Sequence, residues 1–554
     1  MLSSKYMDKI TIALVSIVLV LCFLAIGFYN NIAFPVSNIG YAMEYTDALF
    51  DTSEIIEIDI IMDDEKWNEM LQNARQEVYY ECDVIVNGTT FKQVGIRPKG
   101  NTSLSSIAGD PDNNRYSFKL EFDRFVDGQN CFGLDKLVLN NSYADATNMK
   151  ETIIYDMFRF LDADASLYNY AKMSVNNEYW GVYLALEAVE ESFMLRNYGM
   201  EKGYLYKPEN MGGGGNKGDK KAGGNNFPKM PEGGFQMPEN FGKGGQGMQA
   251  PQNFGRNNKD QNVQNKEAKG EKMAFNRENG GGARGGFGGF GGMGGGSNLN
   301  YTDDNLDSYQ TIWNSEVNDS TKADHQRVVE ALKNVHGRNN IEKYIDVDQT
   351  LKYMAVHNFS VNEDSLSGMM AHNYYLYEGN GQISVLPWDY NLSLGGMHGG
   401  GATSVINTPI DDLWRGTKLF DFVLENEEYK ARYHEYYSKL INEYIYGGKF
   451  EEMYNRTRTQ IDALVETDPN SMYSYEDYIK GAELLYDVVM LRAESIKGQL
   501  EGIIPSTAEG QNADSSKLVD ASGINLSDLG QFGFGGGFGG NRQNFGKNGQ
   551  NAVK

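Results

Sequence analysis

The sequence predicts an α+β protein on a bilobal plan, a β-rich first half followed by a helical second half. Three observations predict it. Between residues 54 and 186, short apolar or alternating runs are punctuated by turn signals such as Asn87-Gly88. From residue 304 onward, apolar residues recur at three- and four-residue spacing. A hairpin pattern, Asn373–Tyr377 and Ile383–Pro387 around Gly379-Asn380-Gly381, sits inside the helical half.

The strands follow in order. Glu54–Met62 has strand character, and a helical stretch at 64–74 carries Trp67, Met70 and Leu71 at helical spacing. Tyr79–Val86 and Phe91–Pro98 flank Asn87-Gly88. Tyr116–Phe122 alternates strictly, with Lys119 between Phe118 and Leu120. Asp145 is a candidate cap for a helix over 148–160. Met173–Val175 and Gly181–Leu186 flank Asn176-Asn177 as a second hairpin. Helices are predicted over 304–317, 322–335, 347–359, 417–446 and 476–501.

The chain has 554 residues, 40% of them apolar, enough for two or three domains or for one large bilobal domain with tails. Its net charge of -25 argues against nucleic acid as a partner, because the phosphate backbone demands a basic surface. Three cysteines without a CxxC and six scattered histidines argue against a structural zinc site. Cys82 and Cys131 read either as one disulfide or as two buried thiols.

Residues 10–29 are almost wholly apolar, long enough to span a bilayer, and Lys5 and Lys9 precede them. The expectation is a single transmembrane helix, with residues 1–9 cytoplasmic, a linker at 30–53 and the body on the extracytoplasmic side. A cleaved signal peptide is the competing reading; the run exceeds a usual signal core and lacks a clear cleavage site. Residues 54–208 and 300–505 read as the two halves of the fold. Residues 209–299 are dominated by Gly, Asn, Met, Lys and Gln, too poor in apolar surface to offset their ordering entropy, and read as a disordered insert. The tail 506–554 reads the same way. Phe/Gly tracts at 285–292 and 532–540 echo each other, suggesting either flexible spacers or self-association.

The chemistry concentrates at the hairpin. Asn362-Glu363-Asp364 ends a helix, Asn373 opens the first strand, and Trp388-Asp389-Tyr390-Asn391 ends the second. Phosphoryl transfer needs this inventory: a carboxylate to orient the acceptor hydroxyl, another to hold Mg²⁺, and a side-chain oxygen to share the metal. Each Asp alone also reads as a helix cap or turn former. Positive charge comes from the β-rich half. Arg97 and Lys99 share one strand face and lead into a small-residue turn, and Lys119 lies mid-strand with Glu151 opening the next helix as its candidate partner. Lys119 taken alone also reads as a strand lysine on a solvated face. No Walker A motif occurs.

Several ordered blocks carry a resemblance. Phe91–Leu104 contains Val-Gly-Ile-Arg-Pro-Lys-Gly-Asn-Thr-Ser, and Tyr116–Asp123, Gly133–Asn141, Asn148–Thr152, Gly181–Glu187 and Gly203–Lys207 follow it. Asn362–Ser365, His372–Tyr377 and Leu386–Leu394 complete the series. Together they resemble the spore-coat-protein-H (CotH) family over roughly 54–208 and 301–500. The resemblance implies an atypical protein-kinase-like fold, ATP with Mg²⁺ or Mn²⁺, and Ser/Thr-rich protein substrates in the spore coat or cell envelope. It further implies Asp364 as the catalytic carboxylate, Asp389 as a metal ligand and Asn373 as a second. Lys119 would contact the nucleotide with Glu151 as partner, and Arg97 and Lys99 are further phosphate candidates. Asn391 stands where many relatives carry an Asp, the insert is unusually long, and the apolar N-terminus is not part of the founding members. A non-catalytic coat or adhesion protein on the same fold is the alternative, and transfer to an envelope polymer is a third reading.

Overall fold

The computed structural model describes residues 41–199, 203–208, 297–368, 370–397, 401–412 and 415–530. The apolar run at 10–29, the insert up to residue 296 and the Phe/Gly tail beyond 530 lie outside them, as does the whole of a second unit at 221–291. Among the described residues no helix is long and apolar enough to cross a membrane.

Seven strands close into a barrel: β1 (Ile56–Ile61), β2 (Tyr80–Val86), β3 (Thr89–Lys99), β4 (Ser117–Glu121), β5 (Lys136–Asn140), β6 (Tyr168–Val175) and β7 (Glu178–Glu187). Their order is β1–β2–β3–β4–β5–β7–β6, and the parallel pairing of β1 with β6 closes the ring. Long β3 serves two partners, pairing β2 along Thr89–Ile96 and β4 along Gly95–Lys99.

Side-chain alternation along each strand feeds two cores. Leu137 and Leu139 of β5, Ala171 and Met173 of β6, and Tyr183 and Ala185 of β7 fill the barrel with Ile96, Phe118 and Leu120. The opposite faces, with Val138, Tyr168, Tyr170, Leu184 and Leu186, join the core of the helical half. That half includes helices Lys150–Phe160, Lys322–His336, Val347–Ser360, Lys449–Glu466 and Tyr475–Leu500. A second sheet of β8 (Tyr204–Tyr206), β9 (Tyr374–Gly379) and β10 (Gln382–Pro387) runs in the order β10–β9–β8. The expected hairpin at the heart of the helical half is β9–β10.

Both flanks of the insert meet on β9. Tyr206 pairs with Leu376, and the Tyr374 hydroxyl donates to the Ser297 carbonyl. The insert therefore interrupts one folded unit. It ends earlier than the composition suggested, since Ser297 and Leu299 are buried.

Other expectations need correction. The supposed linker contains a helix, Glu44–Ala48, whose Tyr45 is fully buried and donates to Glu187 Oε1 at 2.5 Å. The supposed disordered tail is ordered to residue 530. Ala521, Leu526 and Leu529 join the main core, and the Gly530 carbonyl accepts from Lys150 Nζ at 3.0 Å. Composition missed these stretches because a few buried apolar side chains suffice to dock a polar segment. Strand β5 and the helix Lys449–Glu466 had not been assigned as elements. The stretch 417–446 is broken at Asn426, which caps a new helix, and passes into a π-helical turn over Leu440–Ile445. Cys82 and Cys131 are both free and buried.

Candidate functional site

Five separate segments converge on a polar cleft of 290 Å³. The end of β3 and its turn contribute Lys99–Ser103, and the end of β5 contributes Asn140 and Asn141. The first turn of helix Lys150–Phe160 contributes Glu151. The loop after helix Val347–Ser360 contributes Asp364, and the two ends of the β9–β10 hairpin contribute His372, Asn373 and Asp389.

The turn after β3 depends on Gly100. It has φ +129°, and a Cβ there would lie 2.8 Å from Ser103 Oγ. Helix Val347–Ser360 stops at Val361, a β-branched residue held at φ +48°. Two site residues, Asn373 (φ +54°) and Asp389 (φ +62°), also occupy the left-handed region. Backbone held this way is strained and persists only where surrounding contacts over-determine it. Those contacts are present. Asn362 Nδ2 donates to the Asp389 carbonyl at 3.0 Å, and Asn373 Nδ2 donates to the Asp364 carbonyl at 2.8 Å and to its Oδ2 at 3.0 Å. His372 Nε2 lies 2.5 Å from Asp364 Oδ1.

Lys99 and Glu151 are joined through an amide. Asn140 Oδ1 accepts from Lys99 Nζ at 3.1 Å, and Asn140 Nδ2 donates to Glu151 Oε2 at 2.9 Å. Burial pushes the Lys99 ammonium down to about 8 against the opposing pull of the Asp389 carboxylate. Burial, reinforced by the negative charge of Asp389, pushes Glu151 up to about 8. Asp389 is also raised, first by burial and then by Asp364, with Lys99 working the other way. Negative charge gathered in this way, Asp364 acting on Asp389 and Asp389 on Glu151, forms a site whose repulsion a cation would relieve.

The expected pair of Lys119 with Glu151 does not form. Lys119 Nζ meets Glu190 Oε1 at 2.5 Å, in a buried cluster where Lys136 also pairs with Glu190. Lys119 does not line the cleft. It does lie on the face expected, opposite Arg97 in the β3–β4 register, but that face is covered by Glu190 rather than open to water. Arg97 is likewise outside the cleft, pairing with Glu77 and stacking over Tyr79 at 5.3 Å. The strand lysine that faces the carboxylates is Lys99.

Lys207, His372, Asn362 and Asn140 had no assigned part. The positive charge of Lys207 acts on both Lys99 and Asp389, and its ammonium sits 5.6 Å from the centre of the Trp388 ring, which Lys99 approaches to 5.3 Å. The signal for His372 was its position next to Asn373; nothing local distinguished Lys207.

Among the described residues no group of three or more His, Cys, Asp or Glu is arranged to hold a metal ion alone. Mg²⁺ does not need one, since it is usually bound through one or two carboxylates with water and substrate phosphates. Asp389 and Asn373, brought to one cleft, fit that donor set.

Fold and cleft together define an α+β protein in which a strand lysine, a helix glutamate and two hairpin-flanking aspartates share one polar site. The chain belongs to the CotH kinase protein family, which it matches over residues 96–496. No curated protein matches it.

Proposed function

We propose that the protein is a CotH-like atypical kinase that transfers the γ-phosphate of ATP to Ser or Thr of cell-envelope or spore-coat proteins. The observation that carries this reading is the convergence of Lys99, Glu151, Asp364, Asn373 and Asp389 on one cleft, in a chain of this family. On this reading the barrel half and the helical half are the two lobes of a kinase-like fold, with the cleft between them.

Lys99, backed by Asn140 and Glu151, positions the nucleotide phosphates. Lys207 adds a second positive charge from the end of β8. Asp389 and Asn373 would hold Mg²⁺ or Mn²⁺, which supplies charge neutralisation at the transferring phosphate when bound. Asp364 orients the acceptor hydroxyl and takes its proton, while His372 and Asn373 hold both of its oxygens in place. The apolar run at 10–29 would anchor the protein in the membrane with its body outside, and the Phe/Gly tracts are proposed to support self-association.

The test is transfer of labelled phosphate from ATP to a Ser-rich protein by the purified body with Mg²⁺ or Mn²⁺. Nucleotide affinity is measured alongside by calorimetry. A protein that binds no nucleotide with either metal overturns the kinase reading and leaves the coat or adhesion reading.

A further inference from the structure

We propose that His357 is a positioning residue, a strut that holds the loop bearing Asp364 in register with the loop bearing Asp389. The ring is 1% exposed and lies in the last turn of helix Val347–Ser360. Its Nδ1 lies 2.9 Å from the hydroxyl of Tyr390, the residue after Asp389. Its Nε2 lies 2.8 Å from Ser367 Oγ and 3.2 Å from the Oγ of Ser365, the residue after Asp364. One imidazole thus reaches the immediate neighbours of both aspartates.

The chemistry of the ring suits the task. A neutral imidazole offers one donor and one acceptor, so it closes a link on each side at once. Burial keeps it neutral, pushing its pKa down to about 3. The two serines carry the link onward, since both hydroxyls donate to the Asn362 carbonyl, at 2.7 and 3.3 Å. Asn362 itself bridges the loops, accepting from the Asp364 backbone N–H at 3.2 Å while donating to the Asp389 carbonyl. The ring plane is set by packing. Tyr353 stacks on it at 5.3 Å, and Tyr390 meets it edge-on at 5.8 Å. Ring position and hydrogen bonds are therefore over-determined, as positioning groups require. Asp389 sits in the left-handed region and needs such support.

A separate cavity of 680 Å³ reaches the same ring. Its walls include His357, Asn362, Ser367 and Asn512, and it shares no residue with the nucleotide cleft. A small solute can therefore approach the position of the imidazole without entering the cleft.

The kinetic consequence rests on the phosphoryl-transfer reading; the coupling of the loops does not. The experiment compares full-length wild type with His357→Phe, which keeps a ring but no hydrogen bonds, and His357→Ala. Transfer kinetics, nucleotide affinity and hydrogen–deuterium exchange of 362–368 and 388–394 are measured for each. In both variants kcat should fall about tenfold or more, with nucleotide affinity changed less than about threefold, because the loss is one of alignment. Both segments should exchange faster, while β9 does not. Added imidazole should restore part of kcat to His357→Ala through the cavity. Tyr390→Phe, which deletes only the hydroxyl, should move kcat and exchange the same way and serves if the histidine variants fail to fold. A His357→Phe protein with wild-type kcat and wild-type exchange in both segments overturns the proposal, as does loosening confined to one segment. If wild type transfers no phosphate, the phosphoryl-transfer reading fails and the exchange pattern alone decides on the strut.

Discussion

His372 Nε2 lies 2.5 Å from Asp364 Oδ1, so the aspartate proposed to receive the acceptor proton is held by a side chain eight residues later, at the entry to β9. Asn373 holds its other oxygen. The two aspartates of the cleft are thus supported differently, and their variants should fail differently. Asp364→Asn keeps shape and leaves Asp389 in place. Nucleotide should still bind, while transfer drops by about two or more orders of magnitude. Asp389→Asn removes charge from the proposed metal site and should weaken metal-dependent nucleotide binding as well as turnover. Calorimetry with and without Mg²⁺, alongside transfer assays, separates the two; full transfer by Asp364→Asn would remove it from its role.

The two strand lysines should separate just as clearly. Lys99→Met should cost nucleotide affinity about tenfold or more, since a charge-assisted phosphate contact is lost. Lys119→Met leaves the cleft untouched but takes a partner from buried Glu190. It should lower stability by about 1–3 kcal/mol, with nucleotide affinity retained. Denaturant melts and nucleotide titrations of both variants check this. Loss of nucleotide binding in Lys119→Met with Lys99→Met unaffected would restore the original assignment.

Glu151 carries a pH signature. Its carboxyl in the folded protein is raised from an ordinary 4.5 to about 8. A raised acid is held protonated by the fold, so its contribution to stability is complete below about pH 4.5 and is lost as pH rises through 8. Relative to Glu151→Gln, wild type should therefore become less stable between about pH 5 and 8, the melting-temperature gap widening in favour of the amide. Melting curves of both proteins across that range test it, and a gap that shrinks with rising pH would contradict the buried-acid account.

The insert should be dispensable for folding. Both of its flanks are anchored on β9, so replacing residues 209–296 with a linker of about a dozen Gly and Ser residues shortens a loop already closed. Closure entropy changes only by about 0.6 kcal/mol per halving, about 2 kcal/mol in all, and in the stabilising direction. The melting temperature should be unchanged or slightly higher. These 88 residues contain no Ser, Thr or Tyr, so incorporation of phosphate into the protein itself should also be unaffected. A large fall in melting temperature would mean that the segment packs on the body.

Much of the site was legible locally. Asp364, Asn373 and Asp389 bracket one hairpin, and a hairpin brings its ends together whatever surrounds it. Strict alternation through Phe118, Lys119 and Leu120 correctly sorted barrel interior from outer face. The choice between Lys99 and Lys119 was not legible, because both lie on that same outer face of neighbouring strands. What separates them is Glu190, some seventy residues away, which arrives over Lys119 and leaves Lys99 facing the carboxylates.

By itself the sequence determined most of the strands and of the long helices, the hairpin and the chemical inventory at its ends, since periodicity and turn residues act over a few positions. Only the tertiary structure decided that seven strands close through a parallel β1–β6 pair, and that segments 41–53 and 506–530 dock on the folded body. It also decided that Asn140 joins Lys99 to Glu151, and that His357 lies between the two aspartate loops. Those outcomes depend on burial and on partners far apart in the chain, and desolvation and charge proximity exist only once the barrel and the helices have packed.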